Sequence, residues 1–148
     1  LYAMKGEVPE GNEGIPLGKA DIKRAGSDVT IVGISRMVHM ALAAANELSD
    51  EGIEAEVVDP RTLSPLDEDA ILSSVQKTHR LVIVDEDNPR CSVATDIAAL
   101  VADKGFDLLD APIKIVSAPH TPVPFSPPLE QFYIPSPAKI AETVRSIM

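Results

Sequence analysis

Apolar residues along this chain fall into two kinds of run that alternate. "VTIVGIS" (Val29 to Ser35), "AEVVDPR" (Ala55 to Arg61), "RLVIVDED" (Arg80 to Asp87) and "IKIVSAP" (Ile113 to Pro119) are short and contain nearly continuous apolar stretches. Runs of that length suit strands buried on both faces of a parallel sheet. Between them the apolar positions recur at helical spacing. "RMVHMALAAANELSDEG" places Met37, Met40, Ala41, Ala44, Ala45 and Leu48 on one stripe and stops before Gly52. "SPLDEDAILSSVQKT" predicts a helix capped by Ser64 with Pro65 in its first position. Asp67 would reach back to that cap, and Glu68 and Asp69 would sit at the positive end of the dipole. In "NPRCSVATDIAALVADKG" the stripe is Val93, Ile97, Leu100 and Val101, and Gly105 ends the helix. "SPAKIAETVRSIM" closes the chain as a helix capped by Ser136.

Strands alternating with helices at this spacing require a parallel sheet whose crossovers cover both faces. "GKADIKRAG", of mixed polarity, adds an antiparallel edge strand. The predicted fold class is therefore α/β: a three-layer αβα sandwich around a mostly parallel five-stranded sheet. Residues 1–17, polar, glycine-bearing and aperiodic, read as an interdomain linker, and 18–148 as one domain. A chain that opens on Leu1 reads as part of a longer protein whose missing portion comes first.

"HTPVPFSPPLEQFYIPSP" (His120 to Pro137) breaks the alternation. It holds six of the 13 prolines and three of the five aromatic residues. Proline fixes its own φ and biases its predecessor toward extended geometry, so this stretch is expected to form neither a helix nor an inner strand and to lie extended on a surface.

At 148 residues the chain is long enough to bury a core without disulfides or metals. No run reaches about 18 apolar residues and no stretch reads as a secretory signal, which points to a soluble cytoplasmic protein. The net charge of −10 argues against nucleic acid and suits a basic protein partner. Ligands of open α/β sheets bind at the carboxyl ends of the strands. Those ends carry Ser35 and Arg36, Asp59 and Arg61, Asp85, Glu86 and Asp87, and His120 and Thr121. "VGIS" has one glycine where a dinucleotide fingerprint needs three, and no glycine-rich loop ends in Lys-Ser or Lys-Thr. Asp85, Glu86 and Asp87 could hold Mg²⁺ or Ca²⁺, but three consecutive strand residues cannot all face one point, and carboxylates there would instead favour the next helix N-terminus. Cys91, the single cysteine, reads as a plain thiol near a helix start; His39 as a helix residue; His79 as a solvated turn. A small enzyme built on Cys91 or His120, or a binding module using the proline segment, stays open on the residues alone.

Three strings narrow the choice: "GKADIKRAGSDVTIVGIS", "AEVVDPRTLSPLDEDAILSSVQKTHRLVIVDED" and "APHTPVPFSPPLEQFYIPSPAKI". Together they resemble the carboxy-terminal domain of the beta subunit of thiamine-diphosphate-dependent 2-oxo acid dehydrogenases, the transketolase-like family, with "VVDPRTLSPLD" the most specific. The resemblance runs from Gly18 to Met148, and "LYAMKGEVPE" is similar to the bridge between that subunit's two domains. Where pyruvate and branched-chain members carry a "GG-G-E" pattern, this chain reads "DEDNPRCSVATDIAALVADKG", similar to the acetoin dehydrogenase branch.

The resemblance implies an assembly and partner-docking domain, inactive alone. In the intact enzyme, acetoin would be cleaved oxidatively and its two-carbon unit passed to a lipoyl acyltransferase. Thiamine diphosphate and Mg²⁺ would be held by the upstream domain and the alpha subunit, so no catalytic, cofactor or metal residue carries over to 1–148. The implied partners are the alpha subunit and a second beta subunit, in an alpha2beta2 assembly, and the acyltransferase's subunit-binding domain. Phe125, Leu129, Phe132, Tyr133 and Ile134 are the expected subunit interface. Asp103, Asp107, Asp110 and Met148 are the expected docking residues. The same domain of a pyruvate or branched-chain enzyme is the alternative.

Overall fold

The structure, a computed structural model, describes residues 4–7, 10–11 and 14–148. The described residues before Gly18 include no helix or strand; the remainder of the expected linker lies outside the described residues. Five strands follow: β1 (Asp21–Arg24), β2 (Val29–Gly33), β3 (Ala55–Asp59), β4 (Leu81–Val84) and β5 (Lys114–Val116). The helices are α1 (Met37–Ser49), α2 (Glu68–Thr78), α3 (Val93–Lys104), α4 (Pro127–Tyr133) and α5 (Pro137–Arg145), with a 3-10 turn at Phe106–Leu108.

The sheet order is β1-β3-β2-β4-β5, and every pairing is parallel except β1 with β3. α1 carries the chain from β2 to β3 over one face, while α2 and α3 carry it the other way over the opposite face. Right-handed crossovers demand that arrangement, since the direction of travel reverses. Side-chain alternation sorts the core accordingly. Val29, Ile31, Val57 and Val82 point to α1 and α5; Val32, Val58, Leu81 and Ile83 point to α2 and α3. All five residues of β2 are buried, which is why it reads as an unbroken apolar run. Gly33 lets α1 start close to the sheet, since a Cβ there would lie 2.8 Å from the Val38 backbone. Arg145 ties α5 to α1 through Glu47 and Glu51.

One polar group interrupts the α2 face. Thr30, fully buried, shares hydrogen bonds of 2.7 Å with both Ser74 and Thr78 of α2. Ser74 donates to buried Glu56, which also pairs with Lys77. The cluster satisfies itself, as buried polar groups must.

Two local expectations need correction. Ser64 does not cap α2: the helix starts at Glu68, and Asp67 is the cap, accepting from the Ala70 amide at 3.3 Å. Residues 62–65 are committed elsewhere, because the Thr62 hydroxyl donates to the Pro65 carbonyl at 2.8 Å and accepts the Gly18 amide at 2.9 Å. Pro65 follows a cis peptide bond and lies outside the helix. Glu68 and Asp69 do occupy the first turn. The second correction is in the proline stretch, where Pro127–Tyr133 is helical. Pro127 and Pro128 open that helix, where no intrahelical amide is required, and their fixed φ suits the first turn. Ser136 caps α5 as expected, accepting from Lys139.

Asp67 joins two parts of the chain. One carboxylate oxygen caps α2 and the other accepts the Ala20 amide at 3.0 Å, just before β1. The Ala20 amide foremost, then the Ala70 amide and Lys19, hold the Asp67 carboxyl below its ordinary range against the opposing effect of burial. A group depressed in the folded state stabilises above its unfolded pKa and loses that contribution as pH falls through its folded one. Asp67→Ala should therefore lower stability by about 1–2 kcal/mol near neutrality. Urea unfolding of both proteins should give curves that converge as pH drops through the Asp range.

Candidate assembly and docking surfaces

At the carboxyl ends of β2 and β3 the charges face one another. Arg61 donates to Asp21 at 2.7 Å and Lys23 to the same carboxylate at 2.6 Å, while Asp59 accepts the Arg61 amide at 3.0 Å. The Lys23 hydrogen bond first, with Arg61 adding to it, depresses the Asp21 carboxyl. Ser35, His39, Asp59, Arg61 and Leu17 line an open cavity of about 650 Å³ there, its two cations paired to these acids.

The acidic run after β4 builds a turn. Buried Asp85 accepts the Asp87 amide at 3.2 Å, and Asp87 accepts the Asn88 amide at 2.7 Å. The acid in the first turn of α3 is Asp96, because the loop through Cys91 separates β4 from that helix. Among the described residues, no group of three His, Cys, Asp or Glu side chains is arranged to hold a metal. Cys91 is exposed, in left-handed backbone one residue before the α3 cap Ser92. His79 ends α2 in left-handed geometry, its Nδ1 2.9 Å from the Leu108 carbonyl oxygen. His120 is exposed after β5, with Thr121 beside it.

The helical turn in the proline stretch divides the five expected interface residues into two sets. Phe125 is 102 % exposed, Phe132 85 % and Leu129 58 %, and Val123, which pattern reading passed over, is exposed with them. Leu129 and Phe132, three residues apart, sit on the outward side of α4, and Phe125 lies just before its cap Ser126. Tyr133 is 8 % exposed and donates its hydroxyl to the Thr121 carbonyl at 3.2 Å. Ile134 packs on the α1–α5 side of the core. Tyr133 and Ile134 thus anchor the segment, leaving an apolar ridge facing solvent.

The expected docking residues gather at the amino ends of β4 and β5, the other end of the sheet from α4. Asp103 lies at the end of α3, Asp107 in the 3-10 turn and Asp110 just beyond it, all exposed. Asp110 donates its amide to the His79 carbonyl at 2.9 Å, and Arg80 donates to the Ile147 carbonyl at 2.9 Å. The adjacent pair His79–Arg80 thereby holds Asp110 and the residue before Met148 on one rim. Sequence spacing gave no sign of this, nor of Phe106, which stands among the acids.

A family model described as "Transketolase, C-terminal domain" matches residues 18–140. The chain belongs to the transketolase C-terminal domain family. It is 67 % identical over 147 residues to the acetoin:2,6-dichlorophenolindophenol oxidoreductase subunit beta of Bacillus subtilis, covering 99 % of this chain and 43 % of that one. The corresponding subunit of Cupriavidus necator is 60 % identical over 148 residues, all of this chain and 44 % of that one. The pyruvate dehydrogenase E1 component subunit beta of Rickettsia felis is 48 % identical, over 99 % of this chain and 45 % of its own length. This member of the family thus spans less than half of these relatives. Among solved structures, a split gene transketolase, described as an inactive beta4 tetramer, superposes with a TM-score of 0.80 at 25 % identity, over 96 % of this chain and 45 % of that one. The fold class expected from the alternation of strands and helices and the family expected from the three strings are those found.

Exposed and anchoring aromatics should separate in stability. Phe125→Ser with Phe132→Ser should leave the unfolding midpoint of the isolated chain within about 0.5 kcal/mol, while Tyr133→Ala should cost about 3 kcal/mol. Guanidinium unfolding of the variants checks both.

Proposed function

We propose that this domain, residues 18–148 following a linker, is the assembly and docking part of the beta subunit of a thiamine-diphosphate-dependent acetoin dehydrogenase. The observation that carries this reading is the 67 % identity to an acetoin oxidoreductase beta subunit, against 48 % to a pyruvate dehydrogenase one. The intact enzyme would cleave acetoin and pass the two-carbon unit to a lipoyl acyltransferase. The described residues do not fit a magnesium–diphosphate site: they bring no group of three carboxylates together to hold a metal, and at the β2–β3 ends Lys23 and Arg61 are both paired with Asp21, which leaves Arg36 there as the exposed cation outside these pairs. Residues outside this chain would hold thiamine diphosphate and Mg²⁺.

The domain's own share is to hold subunits together. Phe125, Leu129 and Phe132 form an apolar ridge of the kind that interface centres use, with Tyr133 and Ile134 fixing it from beneath, and prolines reduce the entropy lost on ordering. Its partners would be the alpha subunit and a second beta subunit in an alpha2beta2 enzyme. Asp103, Asp107 and Asp110, with Met148 beside them, would receive the basic subunit-binding domain of the acyltransferase, since complementary charge speeds association.

Sedimentation of the co-expressed alpha and beta subunits provides the test. Phe125→Ser with Phe132→Ser in the full-length beta subunit should convert the assembly to smaller species, and unaltered sedimentation would sink the interface claim. Calorimetric titration of the 148-residue chain with thiamine diphosphate and Mg²⁺ should yield no binding heat; stoichiometric binding would move the cofactor site into this domain. Docking of the acyltransferase domain should weaken as salt rises from about 0.05 to 0.3 M, the range over which screening shortens to a few ångströms. A salt-independent affinity would count against the acidic rim.

A further inference from the structure

The acidic rim surrounds a feature that charge alone does not use. Ala102, Phe106, Leu109, Asp110, Ala111, Pro112 and Ile113 enclose an open groove of about 440 Å³ between the end of α3 and the approach to β5. Its walls are mainly apolar, and Phe106, 72 % exposed, stands at its margin with no covering side chain of the core to account for it. Gly105 makes the sharp exit from α3 that sets this ring outward, its amide closing the helix on Val101.

Acids predominate around the same place. Asp103, Asp107 and Asp110 lie along the rim, and the α3 C-terminus adds the negative end of its dipole. Lys104 is paired with Glu68 of α2, leaving Lys114 on β5 as the neighbouring cation without a carboxylate partner. An apolar groove flanked by three carboxylates favours a cation-flanked apolar occupant over an anionic one.

We infer that this groove takes an aliphatic side chain from a cationic protein segment, with lysines or arginines on either side meeting Asp103, Asp107 and Asp110. The inference rests on the docking reading above and adds its anchor. Charge at the rim governs approach and salt dependence; the apolar side chain against Phe106, Leu109 and Pro112 governs residence and selectivity among basic partners. A buried leucine side chain contributes enough to distinguish it from a polar residue at least about tenfold in affinity.

The test uses the 148-residue chain and two fluorescein-labelled peptides of equal lysine and arginine content, one with a central leucine and the other with serine there. Fluorescence anisotropy at low salt should give the leucine peptide an advantage of at least about tenfold. Phe106→Ser should abolish that advantage while leaving the serine peptide's affinity unchanged. Ala102→Gln, a substitution on an exposed helix position that fills the groove without altering charge, should do the same and guards against a folding effect at Phe106. Asp107→Asn with Asp110→Asn should weaken both peptides alike. Equal affinity for the two peptides overturns the groove and leaves electrostatic docking standing. An advantage that persists in both Phe106→Ser and Ala102→Gln overturns it as well. Failure of both peptides to bind at low salt overturns the docking reading and this one together.

Discussion

The carboxylate of Asp67 is the joint on which the arrangement depends. One oxygen ends the chain's approach by accepting the Ala20 amide, and the other starts α2 by accepting the Ala70 amide. β1 has only four residues, none fully buried, and would not hold an edge position by burial alone. It is fixed from two ends: by Asp67 and Thr62 where the chain enters, and by Arg24, which donates to the Ala55 carbonyl and Glu54 at its exit. Gly18, with φ of +71°, allows the turn and the close approach to Pro65. The most family-specific string, "VVDPRTLSPLD", is therefore a structural fastening that positions an edge strand and a helix start.

Once that joint is set, the two faces of the sheet can be filled independently. On one, α1 packs small residues against β2 and β3, with Ala41, Ala44 and Ala45 all fully buried, and α5 covers β4 and β5 beside it. On the other, α2 and α3 bring larger side chains, and Thr30, Ser74, Thr78 and Glu56 complete one another's hydrogen bonds. That self-contained cluster orients α2 on the sheet more specifically than apolar contact alone would, because its hydrogen bonds are all made only in this arrangement.

The two outward surfaces work by different physics. The α4 ridge exposes apolar area at little conformational cost, since Pro127 and Pro128 start the helix and Tyr133 fixes its far end. The acidic rim presents charge, whose field reaches further than apolar contact and is shortened by salt. Their positions differ as well: α4 follows the β5 carboxyl end, while the rim lies beside the His79–Arg80 turn that precedes β4.

The alternation of buried strands and striped helices could be read directly from the sequence, because a strand covered on both faces must be apolar throughout and a helix on a sheet must be apolar on one side. Val29 to Val32, the α1 alanines and Gly105 follow from that constraint, as does the antiparallel edge at Asp21–Arg24. The start of α2 did not follow, since Ser64 and Asp67 are both good caps, and Thr62 and Gly18 choose between them across 44 residues of chain. Nor did α4, because prolines forbid a helix interior yet suit its first turn, and the two cases look alike until the turn exists. The acids Asp103, Asp107 and Asp110 were recognisable by charge, but the meeting of Asp110 with the His79–Arg80 turn and the groove beside Phe106 were not. The sequence by itself determined the layers and which residues fill them, through local periodicity and burial. Only the tertiary structure decided which hydrogen-bonding groups meet and which aromatics remain outside, because both depend on contacts between segments far apart along the chain.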